Sequence, residues 1–109
     1  MDGKGRKFVV DVSFVLSGLL PDEKSDEFDR VWEEFSSGKV DLVAPTLLNY
    51  EVINGLKSAV IQKRVTSSQA ESLIIEFKNM EIKTSEINML EVYRLAIKKN
   101  LSVYDSVYC

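Results

Sequence analysis

Apolar positions along this chain switch between two periods. Phe8, Val9 and Val10 form a short continuous apolar run that stops at Asp11, the pattern of a buried parallel strand ending in an acid. This predicts a strand over about 7–10 and a short helix from Asp11 to Gly18, with Leu16, Leu19 and Leu20 apolar. Pro21-Asp22-Glu23-Lys24-Ser25 is a turn and a new helix start. Phe28, Val31, Trp32 and Phe35 then recur at helical spacing within Asp26 to Phe35, and Ser36-Ser37-Gly38 stops that helix. Val40 to Val43 reads as a second strand, closed by Ala44-Pro45-Thr46. Leu48, Val52, Leu56 and Val60 form the stripe of a helix that Thr46 can cap and that runs to about Lys63. Gly55 inside it leaves room for close packing.

The second half is patterned more weakly. Thr66-Ser67-Ser68 opens a helix in which two capping boxes compete, Thr66 with Gln69 and Ser68 with Glu71. Leu73, Ile74 and Phe77 supply its buried side, and Met80-Glu81-Ile82 reads as a short strand. Glu86 to Lys99 is a further helix with Ile87, Leu90, Tyr93 and Ile97 inward, Lys98-Lys99 at its C-terminus and Asn100 as its stop. Leu101 to Cys109 begins a last helix. The order β-α-α-β-α-α-β-α-α implies an α/β domain with a parallel sheet and right-handed crossovers.

Composition narrows this little. The 109 residues suffice for one domain with one core, 45% apolar and 28% charged as in soluble globular proteins. A net charge of −3 provides no global field for nucleic acid. The absence of histidine removes imidazole catalysis and His-ligated zinc. The lone Cys109 has no partner within the chain, which fits a reducing, cytoplasmic setting. No stretch is long enough to span a membrane. Lys4, Arg6 and Lys7 before the apolar run mimic a secretory leader, but Asp11 interrupts the run and Pro21-Asp22-Glu23 stands where small residues would be needed.

Three acids carry the candidate chemistry. Asp11 lies beyond a strand end, where ligands of open α/β sheets bind; a plain helix N-cap is an equal reading. Glu51 falls at the edge of the apolar stripe of its helix, where a boundary Glu with a wet head is the simpler account. Asp105, three residues after Ser102, fits a capping box, and Tyr104 and Tyr108 beside it read as packing residues. Drawn together by a fold, the three offer the oxygen ligands that hard divalent ions take, and such an ion assists attack of water on a phosphodiester. Without a cation the cluster repels itself and carboxyl pKa values rise.

At these residues the chain resembles a family. Val9-Val10-Asp11-Val12-Ser13 resembles the opening strand of PIN domains. Val43-Ala44-Pro45-Thr46-Leu47-Leu48-Asn49-Tyr50-Glu51-Val52-Ile53-Asn54-Gly55-Leu56 resembles their second strand and the helix after it, and Leu101-Ser102-Val103-Tyr104-Asp105-Ser106-Val107-Tyr108 their third acidic stretch. The subgroup is similar to the VapC-type toxins of toxin–antitoxin systems. The resemblance implies a Rossmann-like, three-layer α/β/α fold and a Mg²⁺- or Mn²⁺-dependent endoribonuclease, with Asp11, Glu51 and Asp105 as catalytic and metal-holding residues. It implies Ser13 as an orienting residue, although a satisfied hydroxyl in a first helical turn serves equally. RNA is the implied substrate, leaving 5′-phosphate and 3′-hydroxyl ends, and an antitoxin protein the implied partner. A homodimer is expected from the apolar edge strand that the missing C-terminal strand would expose. Lys57, Lys63 and Arg64 are candidate phosphate contacts, though a solvated helix face explains each as well.

The family pattern continues past Cys109 with a longer helix and a further strand, so the single domain spanning 1–109 reads as C-terminally incomplete. That strand would flank the first one, so its loss is expected to leave an apolar edge. The competing function is a non-catalytic PIN-like module binding a protein or nucleic acid. A receiver-like domain with Asp11 as phosphoacceptor lacks paired acids ahead of the acceptor strand. Gly3 and Gly5 precede the strand, which argues against a dinucleotide-binding loop.

Overall fold

β1 and β2 are each followed by a helix that starts where the strand's carboxyl end leaves it. A computed structural model of the protein describes residues 6–86, the helical residues Leu90, Tyr93, Arg94 and Ile97, and the backbone of 103–106. The elements are β1 (Lys7–Val10), α1 (Val12–Leu19), α2 (Asp26–Ser36), β2 (Asp41–Pro45), α3 (Leu48–Ile61), α4 (Ser67–Met80), β3 (Lys83–Ser85) and β4 (Val103–Ser106). The sheet order is β3-β2-β1-β4. β1 and β3 both run parallel to β2, with Phe8 opposite Leu42 and Ala44 opposite Thr84.

The two crossovers step the same way across the sheet, so right-handed connections put both helix pairs on one face. Burial follows. Phe8, Val10, Leu42 and Ala44 point into one cluster with Phe14, Val15, Phe28, Val31, Leu48, Val52 and Leu56. Alternation turns Asp41 and Val43 of β2 away from it, and both are half-exposed. Val9 faces away from the cluster and is still only 5% exposed. Within the cluster Phe14 stacks on Phe28 at 4.9 Å and Phe28 on Trp32 at 5.7 Å between ring centroids. Gly18 admits this row, because a Cβ there would overlap the Phe28 ring. Gly55 admits α1 against α3, since its Cβ would lie 2.6 Å from Leu16 Cδ1.

Local signals decide the helix ends. The Ser25 hydroxyl accepts from the Phe28 amide at 3.2 Å, and Asp26, Glu27 and Asp29 complement the positive end of α2. Of the two competing boxes ahead of α4, Thr66 and Gln69 form the one present, with bonds of 3.1 and 2.7 Å. α3 starts differently from expectation. Its N-cap is Leu47, already in right-handed helical conformation and without a side-chain cap, so Thr46 does not cap it. Pro45 still belongs to β2, which leaves Thr46 in the turn, one position too early. The third strand lies at Lys83–Ser85 rather than at Met80-Glu81-Ile82. Met80 is a buried residue of α4, and the left-handed turn at Glu81 must be completed before the chain extends.

Two expectations for the C-terminal part are corrected. The segment expected to begin a helix contains β4, antiparallel to β1, with Val103 opposite Val10 and Asp105 opposite Phe8. β1 is therefore not left as a sheet edge. A row of unpaired peptide groups beside Phe8, Val9 and Val10 is a strong template, and Val103-Tyr104 suits extended backbone. Leu90, Tyr93 and Ile97 are helical as expected but exposed, not inward. Ile87, Lys98, Lys99, Asn100 and the ends of the last stretch lie outside the described residues.

Candidate functional site

Asp11 follows β1 directly and holds α1 by its end. Its backbone is extended and its Oδ1 accepts from the Phe14 amide at 3.0 Å, so the N-cap role is present in full. Burial is the leading influence on the carboxyl and pushes its pKa above the ordinary value. Hydrogen bonds from the Phe14 and Ser13 amides pull the other way. The result is a half-buried acid at the carboxyl end of the central strand pair, beyond which open α/β sheets bind their ligands.

Glu51 reaches the same end by another route. It lies in the first turn of α3, which follows β2 as α1 follows β1. Gly55 seats α3 against Leu16 of α1. One turn back from that contact stand Glu51 on α3 and Val12, next to Asp11, on α1. The fold thus sets Asp11 and Glu51 on adjoining helix starts at one sheet edge. Glu51 is exposed, with its head in water. Ser13 is also exposed in the first turn of α1.

Asp105 stands elsewhere along the sheet. Its backbone pairs with Phe8, three residues before Asp11, and Val103 is the residue of β4 level with Val10. At about 3.4 Å per residue, this register offsets the Asp105 backbone by roughly 10 Å from that of Asp11 along the strand. The side chain of Asp105 lies outside the described residues. Among the described residues no three acids converge on one point that could hold a metal ion.

The basic candidates divide similarly. Lys57 is exposed on α3. Lys63 and Arg64 follow the far end of α3, at the opposite edge of the sheet from Asp11. Arg64 is already engaged: its Nε and Nη2 donate to Asp22 at 2.8 and 2.9 Å, and Nη2 also donates to Glu23. The guanidinium holds the Asp22 carboxyl below the usual carboxylate range and is itself held more firmly protonated. Sequence reasoning missed this clasp because 42 residues separate the partners. The signal was topological: parallel strands bring the ends of α1 and α3 to one edge. Two clefts of about 270 and 250 Å³ open beside Pro21 and Ser72 and beside Trp32 and Glu76, and neither is lined by Asp11 or Glu51.

No family model matches the chain. Among curated proteins, ribonuclease VapC3 of Pyrobaculum aerophilum is 26% identical over 106 residues, an alignment covering 94% of this chain and 78% of that protein. The α/β fold, with three parallel strands and an acid at the carboxyl end of β1, is compatible with the PIN architecture.

Proposed function

We propose that this chain is an endoribonuclease of the VapC toxin type, hydrolysing RNA phosphodiesters at the edge where β1 and β2 deliver Asp11 and Glu51. The observation that carries the reading is the placement of Asp11, half-buried and raised in pKa at that edge, in a chain similar throughout to a VapC ribonuclease. Asp11 and Glu51 fit a hydrated Mg²⁺ or Mn²⁺, because such ions are commonly held by one or two carboxylates plus water and phosphate oxygens. Bound there, the ion would supply water acidification and charge neutralisation at the phosphate. Asp11 would contribute a fixed oxygen, since its orientation is set by the Phe14 amide. Glu51 would contribute a mobile carboxylate from the solvent side. Asp105 is the third acid of the proposal, and Ser13 the orienting hydroxyl beside the first. An antitoxin protein that covers this edge is the proposed partner. The three-layer arrangement of PIN domains is part of the proposal, supported by the burial of Val9 on the face opposite α1–α4.

A second reading, a PIN-like module without catalysis, is favoured by one observation. The register of β4 sets the Asp105 backbone beside Phe8, away from Asp11, and small displacements of catalytic groups cost large factors in rate. Cleavage of a mixed-sequence RNA separates the two. The chain is assayed with Mg²⁺, with Mn²⁺ and with EDTA, beside Asp11→Asn, Glu51→Gln and Asp105→Asn. The nuclease reading expects cutting that needs the metal and is lost in Asp11→Asn and Glu51→Gln. Loss in Asp105→Asn as well would assign the third acid. Folded protein that leaves RNA intact under every condition establishes the module reading instead.

A further inference from the structure

Arg64 is aimed by backbone on one side and met by two acids on the other. The chain leaves α3 in a Schellman turn. Lys63 is left-handed at φ 63°. Its amide donates to the Val60 carbonyl, and the Arg64 amide donates to the Ala59 carbonyl, both at 2.9 Å. A lysine is less favourable than glycine in that conformation, and the turn it makes fixes where the next side chain leaves the helix. The acids are rooted as firmly. Leu20, 2% exposed, ends α1 with a 2.8 Å bond from its amide to the Leu16 carbonyl, and the Glu23 amide turns back to the Leu20 carbonyl at 3.1 Å. Between these two turns the guanidinium forks onto both oxygens of Asp22 and also reaches Glu23. A lone exposed ion pair contributes little stability. This one is bidentate, shared with a second acid, and joins chain ends 42 residues apart, so its consequence is geometric.

We propose that the Arg64 clasp is a positioning device: by tying together the carboxyl ends of α1 and α3, it fixes the spacing of Asp11 and Glu51 at the starts of the same two helices. The proposal rests on the reading of those acids as a pair that holds a metal. α1 and α3 approach most closely where Leu16 meets Gly55. Two helices joined at one point can rock about it. A tilt of about 10° there displaces a residue one turn away, about 6 Å along the axis, by about 1 Å. A misplacement of that size costs about 10²-fold in rate. Val12 and Glu51 each stand one turn from the contact on the amino-terminal side, and the clasp lies beyond it on the carboxyl-terminal side. A second attachment there removes the rocking motion. Arg64 touches neither acid of the pair and acts on them only through the two helices.

The test reads position directly. Spin labels on Ser13→Cys and Asn49→Cys, exposed sites at the starts of α1 and α3, are measured without metal in a Cys109→Ser background. Mn²⁺ affinity is measured separately on unlabelled protein from the paramagnetic resonance of the free ion, with Asp11→Asn identifying the site. The expected result is one narrow label distance in the parent and a broadened one both in Arg64→Ala and in Asp22→Ala/Glu23→Ala. Combining all three substitutions should add nothing, because each breaks the same contact. Arg64→Lys keeps the charge without the fork and should narrow the distance only in part. Mn²⁺ should bind about tenfold more weakly in Arg64→Ala, the scale on which loss of a ligand-orienting group acts. Val31→Ala destabilises by opening a cavity in α2 and should change neither readout. A label distance indifferent to Arg64→Ala, one broadened equally by Val31→Ala, or a broadened distance with unchanged Mn²⁺ affinity would each overturn the proposal. Broadening by Arg64→Ala in a parent that binds no Mn²⁺ would remove the metal reading of Asp11 and Glu51 and leave the hold of the clasp on their spacing established.

Discussion

The N-cap role of Asp11 and the metal-binding role proposed for it make conflicting demands. As the N-cap of α1 it needs only an oxygen for the Phe14 amide. As the metal-binding acid of the proposed nuclease it would need charge, which its half-buried position disfavours. Burial raises its pKa, so the folded chain binds that proton more tightly than the unfolded chain does. Stability should therefore fall as pH rises from the ordinary carboxylate range through the folded pKa. Asparagine keeps a capping oxygen without the charge. Asp11→Asn is expected to melt above the parent at neutral pH, with the gain vanishing as the solution is acidified below the ordinary carboxylate range. Asp11→Ala also lacks the charge but loses the cap, and should lie about 1 kcal/mol below Asp11→Asn at every pH. Thermal melts of the three proteins across pH measure both effects; an asparagine variant that melts lower at pH 7 would sink the desolvation argument.

At the scale of elements, two glycines separate rigid from yielding contacts. Gly18 faces the Phe28 ring, held by Phe14 on one side and Trp32 on the other, so the ring has nowhere to go. Gly18→Ala is expected to destabilise by about 1–3 kcal/mol through overpacking. Gly55 faces the end of the half-buried Leu16 side chain, which can turn aside. There the strain is offset by the roughly 1 kcal/mol that alanine gains over glycine in a helix, and Gly55→Ala should be close to neutral. Urea denaturation of both variants checks the contrast, and equal costs would contradict it. The same elements show what could be read from the chain beforehand. β1, α1, α2 and α3 were legible because each combines a clear period with a local start or stop. The sequence also suggested close packing at Gly55. It could not choose between the boxes at Thr66 and Ser68, because both are chemically sound, and it set Thr46 one residue wrong because Pro45 extends β2. β4 was misread as a helix because Ser102-x-x-Asp105 is a sound helix start locally; the open flank of β1, a demand from distant residues, decided otherwise. Of the candidate site, Asp11 was legible as an acid at a strand end, whereas Glu51 alone read as a boundary residue of its helix. The engagement of Arg64 was not, since it depends on two helix ends meeting.

For the whole molecule, the flank of β1 is the surface most open to association. It is an open-ended contact surface, sealed by the four residues of β4. A strand flank carries no closure rule, because each added strand presents another edge. Deleting residues 103–109 should therefore convert the chain into large, polydisperse assemblies. Light scattering coupled to gel filtration measures this, and binding of an amyloid-type dye reports cross-strand pairing. A deleted chain that stays monodisperse, with a circular dichroism spectrum like that of the full chain, would mean that β4 is dispensable as a seal. Heterogeneity that disappears on adding a synthetic peptide of residues 101–109 would show that the effect is the open flank itself and not a general loss of folding.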